Sequence, residues 1–227
     1  MSTAIKSIRA KGHWDIAIRP EPFRSDLVLY DQLDVIVNQA VVRLRGWPMP
    51  FIDYREPFLR GQNWIGQDIE AHTTSHREAW RFFTSGQFTQ LRVISADRRG
   101  AEEMPLPGGA SSVIEVWEIL FYLTEVIELA ARLAMSDAGG DQMTIDARLH
   151  GLKNRLLVSE EPVPELHKDY RSSMPCIQEK RTPQRENLVS EPQQIAVDMA
   201  REIFLHFGFK ASKIVLADYQ RELTESL

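Results

Sequence analysis

Residues 112–135, SVIEVWEILFYLTEVIELAARLAM, decide the fold. Ser112 and Glu115 have the S-x-x-E spacing of a capping box. A helix of about six turns fits between them and Gly139-Gly140. Ile114, Trp117, Leu120, Phe121, Ile127 and Ala131 cover most of its circumference. The polar residues Glu115, Glu118, Tyr122, Glu125, Glu128 and Arg132 fall on one narrow stripe, at three- and four-residue steps. Such a helix is buried on most sides, and the stripe reads as its solvent face. It is the element against which the rest should pack.

On its N-terminal side the chain reads as strands and one helix. His13 to Arg19 alternates as a strand. Ser25 opens a helix, SDLVLYDQLDVIVNQA, with Leu29, Leu33, Ile36 and Val37 as its apolar stripe. Val41 to Arg45, VVRLR, alternates as a second strand. Pro48 and Pro50 exclude a helix in GWPMPFIDY. Asn63 to Ala71 reads as a short strand. HREAWRFF and FTQLRVIS, joined by Thr84-Ser85-Gly86-Gln87, read as a β-hairpin. On the C-terminal side, Met143 to Ser159 reads as one or two strands broken near Gly151-Leu152. A helix starts at Ser190-Glu191-Pro192-Gln193, with Ile195, Met199, Ile203 and Phe207 buried and Gly208 as its stop. Ser212 caps a last helix through Leu223. Exposed loops are expected at about 98–110 and 160–190. The fold class is α+β: a mainly antiparallel sheet on a long central helix, with two C-terminal helices, in a single domain over 1–227.

Composition narrows the functional classes. At 227 residues, 43% hydrophobic and 26% charged, the chain is neither a disordered segment nor a disulfide miniprotein. A net charge of −5 excludes a basic nucleic-acid coat. The charge is uneven: residues 1–100 carry 14 Lys+Arg against 11 Asp+Glu, leaving 13 against 21 beyond them. Cys176 is the sole cysteine, which excludes an intramolecular disulfide and a Cys-based zinc finger and fits a reducing, cytoplasmic setting. The first residues have no apolar run of signal-peptide length. The most hydrophobic run, Val113 to Met135, holds four glutamates and makes a poor membrane span.

Motifs for chemistry are sparse. No G-x-S-x-G, Walker or G-x-G-x-x-G pattern is present, so neither a catalytic residue nor a cofactor is assigned. His72 and His76, with Glu78 on the same strand face, have metal-ligand spacing, but HTTSH is a poor helix and reads as a loop before a strand. The glutamate stripe lacks the Glu-x-x-His pattern of carboxylate metal sites. No metal is assigned. A nucleophilic Cys176 needs a nearby histidine, and His167 is close only in sequence.

Arginine on strands beside aromatic rings carries more weight. Alternation places Arg43 and Arg45 on one face of VVRLR. Arg77 and Arg81 share a face of the hairpin, and Arg92 lies on its partner strand. Trp47, Tyr54, Trp64 and Trp80 fall in the same stretch. A guanidinium is a planar fork that grips oxyanions and stacks on rings. The candidate ligand-binding set is therefore Arg43, Arg45, Trp47, Tyr54, Arg77, Trp80, Arg81 and Arg92, facing a small anionic ligand. The plain alternative is a solvated sheet face, with arginines paired to Asp53, Glu56, Glu70 and Glu78 and tryptophans in the core. The small excess of positive charge argues against extended DNA binding.

Arg45-Gly46-Trp47-Pro48 through Pro50, with Trp80-Arg81-Phe82 and Ser85-Gly86-Gln87-Phe88, resembles a family of uncharacterised bacterial proteins. Some of these stand alone and some are appended to predicted nucleic-acid-binding or ATPase modules. Phe121-Tyr122-Leu123-Thr124-Glu125 and Phe207-Gly208-Phe209 share the likeness. The resemblance implies a bacterial, whole-chain unit and transfers no activity. The expected role is a non-enzymatic cytosolic binding, sensing or accessory protein, with a protein partner or homo-oligomer allowed. One alternative is an enzyme on a phosphorylated or nucleic-acid substrate that moves protons with Asp53, His72 or His76. Another is a structural subunit that buries its acidic C-terminal helices in another chain.

Overall fold

The computed structural model describes residues 2–71, 76–98, 110, 112–159, 163 and 166–225. In chain order the elements are α1 (Thr3–Arg9), β1 (His13–Glu21), α2 (Leu33–Ala40), β2 (Leu59–Arg60), β3 (Trp64–Ala71), β4 (His76–Phe83), β5 (Phe88–Val93), β6 (Val113–Glu115) and α3 (Val116–Ala134). There follow β7 (Gln142–His150), β8 (Leu156–Val158), β9 (Tyr170–Arg171), β10 (Cys176–Arg181), α4 (Arg185–Ser190), α5 (Pro192–Leu205) and α6 (Lys213–Glu225). Seven strands form one sheet in the order β10-β7-β1-β5-β4-β3-β2, with every neighbouring pair antiparallel. A small second sheet holds β6, β8 and β9. The class is α+β, as the sequence predicts.

Strand alternation sorts the large sheet into two unlike faces. One carries Trp14, Ile16, Ile18, Ile65, Trp80, Phe82, Phe88, Ile145, Ala147 and Leu149, all buried in the main core. This face receives α3, with α2 beside it and α4, α5 and α6 packed on the far side of α3. On the opposite face Ile5 and Ile8 of α1 cover Ala79, Leu91 and Val93. α3 thus lies between sheet and helices, which is why 15 of its 19 residues are buried. Gly86 turns the β4–β5 hairpin at φ +77°, and a Cβ there would stand 2.5 Å from the Ala138 carbonyl just beyond α3.

Several local expectations change. Val113–Glu115 is strand rather than first turn: Val113 lies opposite Leu156 in a parallel pair with β8, so Ser112 caps nothing and Glu115 precedes the helix in extended conformation. The Ser25 helix starts only at Leu33, after a 3₁₀ turn, because Val28 is tied to the hairpin link by its N–H bond to the Thr84 carbonyl (2.8 Å); Leu29 is 66% exposed. VVRLR is a loop. Val41 and Val42 are both buried, which breaks the alternation, and its sole pairing is the Val42–Met49 bridge that closes the Pro-rich turn. The 160–190 stretch contains the edge strand β10 and helix α4. One buried apolar residue, Ile177, serves the whole of β10, so its sequence pattern is weak. The expected loop at 98–110 falls mostly outside the described residues. α5 begins at Pro192 with no side-chain cap from Ser190.

Burial separates the helix positions by cost. Ile127→Ala, at a fully buried site, is expected to lower unfolding stability by about 2–5 kcal/mol. Leu29→Ala should change it by no more than about 0.5 kcal/mol. Urea denaturation of the two variants checks both values.

Candidate functional site

The polar stripe of α3 faces the sheet. Glu118, Tyr122 and Glu125 are 7%, 1% and 1% exposed. A carboxylate taken out of water needs a charge partner, and two arginines supply it for Glu125. Arg45 grips it side-on, Nε to Oε1 at 2.9 Å and Nη2 to Oε2 at 2.5 Å. Arg92 of β5 stands 3.7 Å from Oε2 with its guanidinium over the Tyr122 ring at 4.7 Å. The Tyr122 hydroxyl donates to Gln90 Oε1 (2.7 Å), and burial pushes its pKa up, so it stays a neutral donor. Arg45 is held charged: burial works against the cation, but hydrogen bonds and attraction to Glu125 outweigh it.

His76 and Glu78 of β4 extend the cluster. Glu78 lies directly across from Arg92. One of its oxygens accepts the Phe51 N–H (2.8 Å) and the other meets His76 Nε2 at 2.6 Å. Trp47 lies on the His76 ring at 4.4 Å and stacks on Phe51 at 4.3 Å. Burial lowers the His76 pKa; Glu78 opposes this, and the charges of Arg92 and Arg98 add to it.

Arg98 is placed by the 3₁₀ turn Ser95–Asp97, which is pinned from both sides. Glu118 accepts the Ser95 N–H at 2.8 and 3.1 Å. The Asp97 carboxylate is gripped by Arg155 at 2.8 Å through each oxygen and accepts the Gly12 N–H at 2.7 Å. Yet Arg98 Nε and Nη2 are buried with no hydrogen-bond partner, as are Trp47 Nε1, Gln90 Nε2 and His76 Nδ1. Burial, with the neighbouring charge of Arg92, lowers the Arg98 pKa to about 10 against the pull of Glu118 and Glu78, so at neutral pH it remains a cation whose Nε and Nη2 have no acceptor.

A surface hollow of about 340 Å³ meets the cluster through Phe51. Val41, Pro48, Phe51 and Ile52 line it, with Arg43, Asp53, Tyr54 and Arg55. Phe51, Trp47 and His76 form a chain of ring contacts leading inward from it.

The sequence-derived set divides accordingly. Arg45 and Arg92 lie in the buried cluster, and Trp47 on the ring chain. Arg43 and Tyr54 line the hollow. Trp80 is a core residue whose indole donates to the Phe51 carbonyl (2.9 Å). Arg77 and Arg81 point from the opposite sheet face, paired with Glu70 at 2.9 Å and Asp68 at 2.6 Å. Alternation separates them from Arg92, which shares the core face with His76 and Glu78. The eight residues therefore do not share one sheet face. Glu78, Gln90, Arg98, Glu118 and Glu125 were missing from it. For Glu118 and Glu125 the signal was the glutamate stripe itself, since a helix buried on most sides has little solvent face to give it.

Other chemistry has less support. Arg55 holds the half-buried Asp53 carboxyl at about 2, a poor proton acceptor at neutral pH. His72 lies outside the described residues. Among the described residues no group of three or more His, Cys, Asp or Glu is arranged to hold a metal ion. Cys176 approaches His150 (4.0 Å), not His167, and burial pushes its thiol pKa up, away from the thiolate. Among the described residues no helix is long and apolar enough to cross a membrane. The chain matches no family model, no curated protein and no solved structure.

Two outcomes test these energetics. Glu125→Ala leaves Arg45 and Arg92 without their carboxylate and should cost about 3–5 kcal/mol, whereas Arg45→Met with Glu125→Leu should recover much of that loss; equilibrium unfolding of the single and double variants reads the coupling. His76 and His13 both have pKa values lowered in the fold, chiefly by burial. The unfolded chain therefore takes up protons first, and stability falls as pH drops from about 7 to about 5. The slope should reach at most about 1.4 kcal/mol per pH unit for each histidine. Unfolding midpoints across that range should show a shallower slope for His76→Phe.

Proposed function

We propose that this protein binds a small anionic ligand at the buried cluster around Arg98, Arg92 and Trp47, reached past the Phe51 hollow. The observation that carries the reading is the Arg98 guanidinium, with two buried N–H groups on one edge and no acceptor. Arg45 uses the same Nε/Nη2 edge to hold Glu125. An oxyanion on Arg98 would complete that geometry and compensate its charge. Trp47 covers the cluster, so its movement would admit the ligand and report binding by fluorescence. In this reading the chain is a bacterial, cytosolic binding or sensing protein.

The enzymatic alternative rests on the His76–Glu78 pair. A carboxylate-oriented imidazole beside an anion site suits general-base chemistry on a phosphorylated substrate. The assembly alternative has less in its favour, because α5 and α6 bury Met199, Ile203, Phe204 and Leu216 within this chain.

Native mass spectrometry of the gently purified full chain should show added mass from a small anion. Titration with sodium phosphate and sodium sulfate, followed by tryptophan fluorescence, gives the direct test. Arg98→Leu should weaken anion binding at least tenfold without lowering the melting temperature, while Arg77→Ala/Arg81→Ala should leave binding unchanged. Binding that is indifferent to Arg98, or absent with both anions, removes the proposal.

A further inference from the structure

The cluster contains one group of opposite sense to its orphaned donors. Glu78 accepts the Phe51 N–H through Oε1, and its Oε2 lies 2.6 Å from His76 Nε2. An ionised carboxylate can only accept, so Nε2 is the nitrogen that carries the imidazole proton. The other nitrogen, Nδ1, is then a lone pair on a ring 1% exposed, buried and without a donor. Trp47, whose ring touches His76, and Arg98, whose charge acts on it, carry the orphaned atoms Trp47 Nε1 and Arg98 Nε and Nη2, and Gln90 Nε2 is orphaned beside Tyr122; all are N–H donors. The complement of this set is rich in acceptor oxygens and supplies one donated proton.

We propose, building on the anion-binding reading, that the ligand is a phosphate group that still carries a hydroxyl, and that His76 Nδ1 accepts that hydroxyl while Arg98 grips two of its other oxygens. Carboxylates and sulfate offer oxygens but no proton at neutral pH. Against them Nδ1 would face a second lone pair in a site that water does not reach. Sites built around a buried hydrogen bond discriminate strongly against analogues that lack it, because the protein group is left unpaired. His76 thus acts as the specificity-determining residue, and Glu78 as the residue that fixes its tautomer.

Hydrogen phosphate and sulfate have the same shape and, at about pH 7.5, nearly the same charge; they differ by one O–H. Isothermal titration calorimetry of the full chain with each, at fixed ionic strength, is the test. Phosphate should bind at least about a hundredfold more tightly than sulfate, and His76→Phe should bring the ratio close to one. Methyl phosphate at about pH 6, where it retains a proton, tells the source apart: binding equal to phosphate assigns the group to an organic ester, and rejection assigns it to the free ion, and either result keeps the proposal. Equal affinity for phosphate and sulfate in the unaltered protein overturns the hydroxyl assignment. If that equal binding still depends on Arg98, the anion site survives without it. If neither anion binds, both readings fall together.

Discussion

The fold is organised by the need to neutralise one carboxylate. Glu125 lies near the middle of α3, 1% exposed, between a seven-stranded sheet and a layer of helices. Its charge is tolerable there only because Arg45 arrives from a loop and Arg92 from β5. Those two requirements set much else. The Pro-rich loop must turn inward at Arg45, where the strand read in VVRLR would have left the side chain on a sheet face. β5 must present its even-numbered residues to α3, which puts Gln90 under Tyr122 and, across the ladder, Glu78 beside Arg92. Glu118 repeats the theme about two turns earlier by holding the backbone of Ser95.

The large elements were legible because their patterns are long. The apolar run of α3, the hairpin around Gly86 and a strand region broken near Gly151-Leu152 follow from periodicity and turn chemistry alone. The misreadings share a cause. A five-residue alternation such as VVRLR is too short to separate a strand from a loop that buries two adjacent valines. A polar stripe on an apolar helix looks the same whether water or an array of arginines faces it. β10 was hidden because an edge strand with one core-facing apolar residue has almost no pattern to show.

The candidate site was half legible for the same reason. Arginines and rings announce themselves by residue type, so Arg45, Arg92 and Trp47 could be singled out. The candidate set then placed Arg92 of the partner strand together with Arg77 and Arg81, although pairing opposite Glu78 places it on the other face of the sheet. Arg98 follows β5 in a 3₁₀ turn that no periodicity predicts, and its position depends on Glu118, Asp97 and Arg155, which come together only in space.

The hairpin link at Gly86 has a consequence for how this chain can vary. Its tip is seated against the Ala138 carbonyl, so the β4–β5 pair is anchored at one end to the segment that closes α3. Distance from that anchor sets how deep along the helix each polar side chain of the pair falls. The hairpin works as a ruler with a fixed zero. Lengthening either arm by one residue would invert the parity of everything beyond it, sending Arg92 or Glu78 to the α1 side while the helix carboxylates stayed where they are. Compensated changes, which restore both parity and distance from the anchor, are the length variation this part of the molecule can absorb without leaving Glu125 alone.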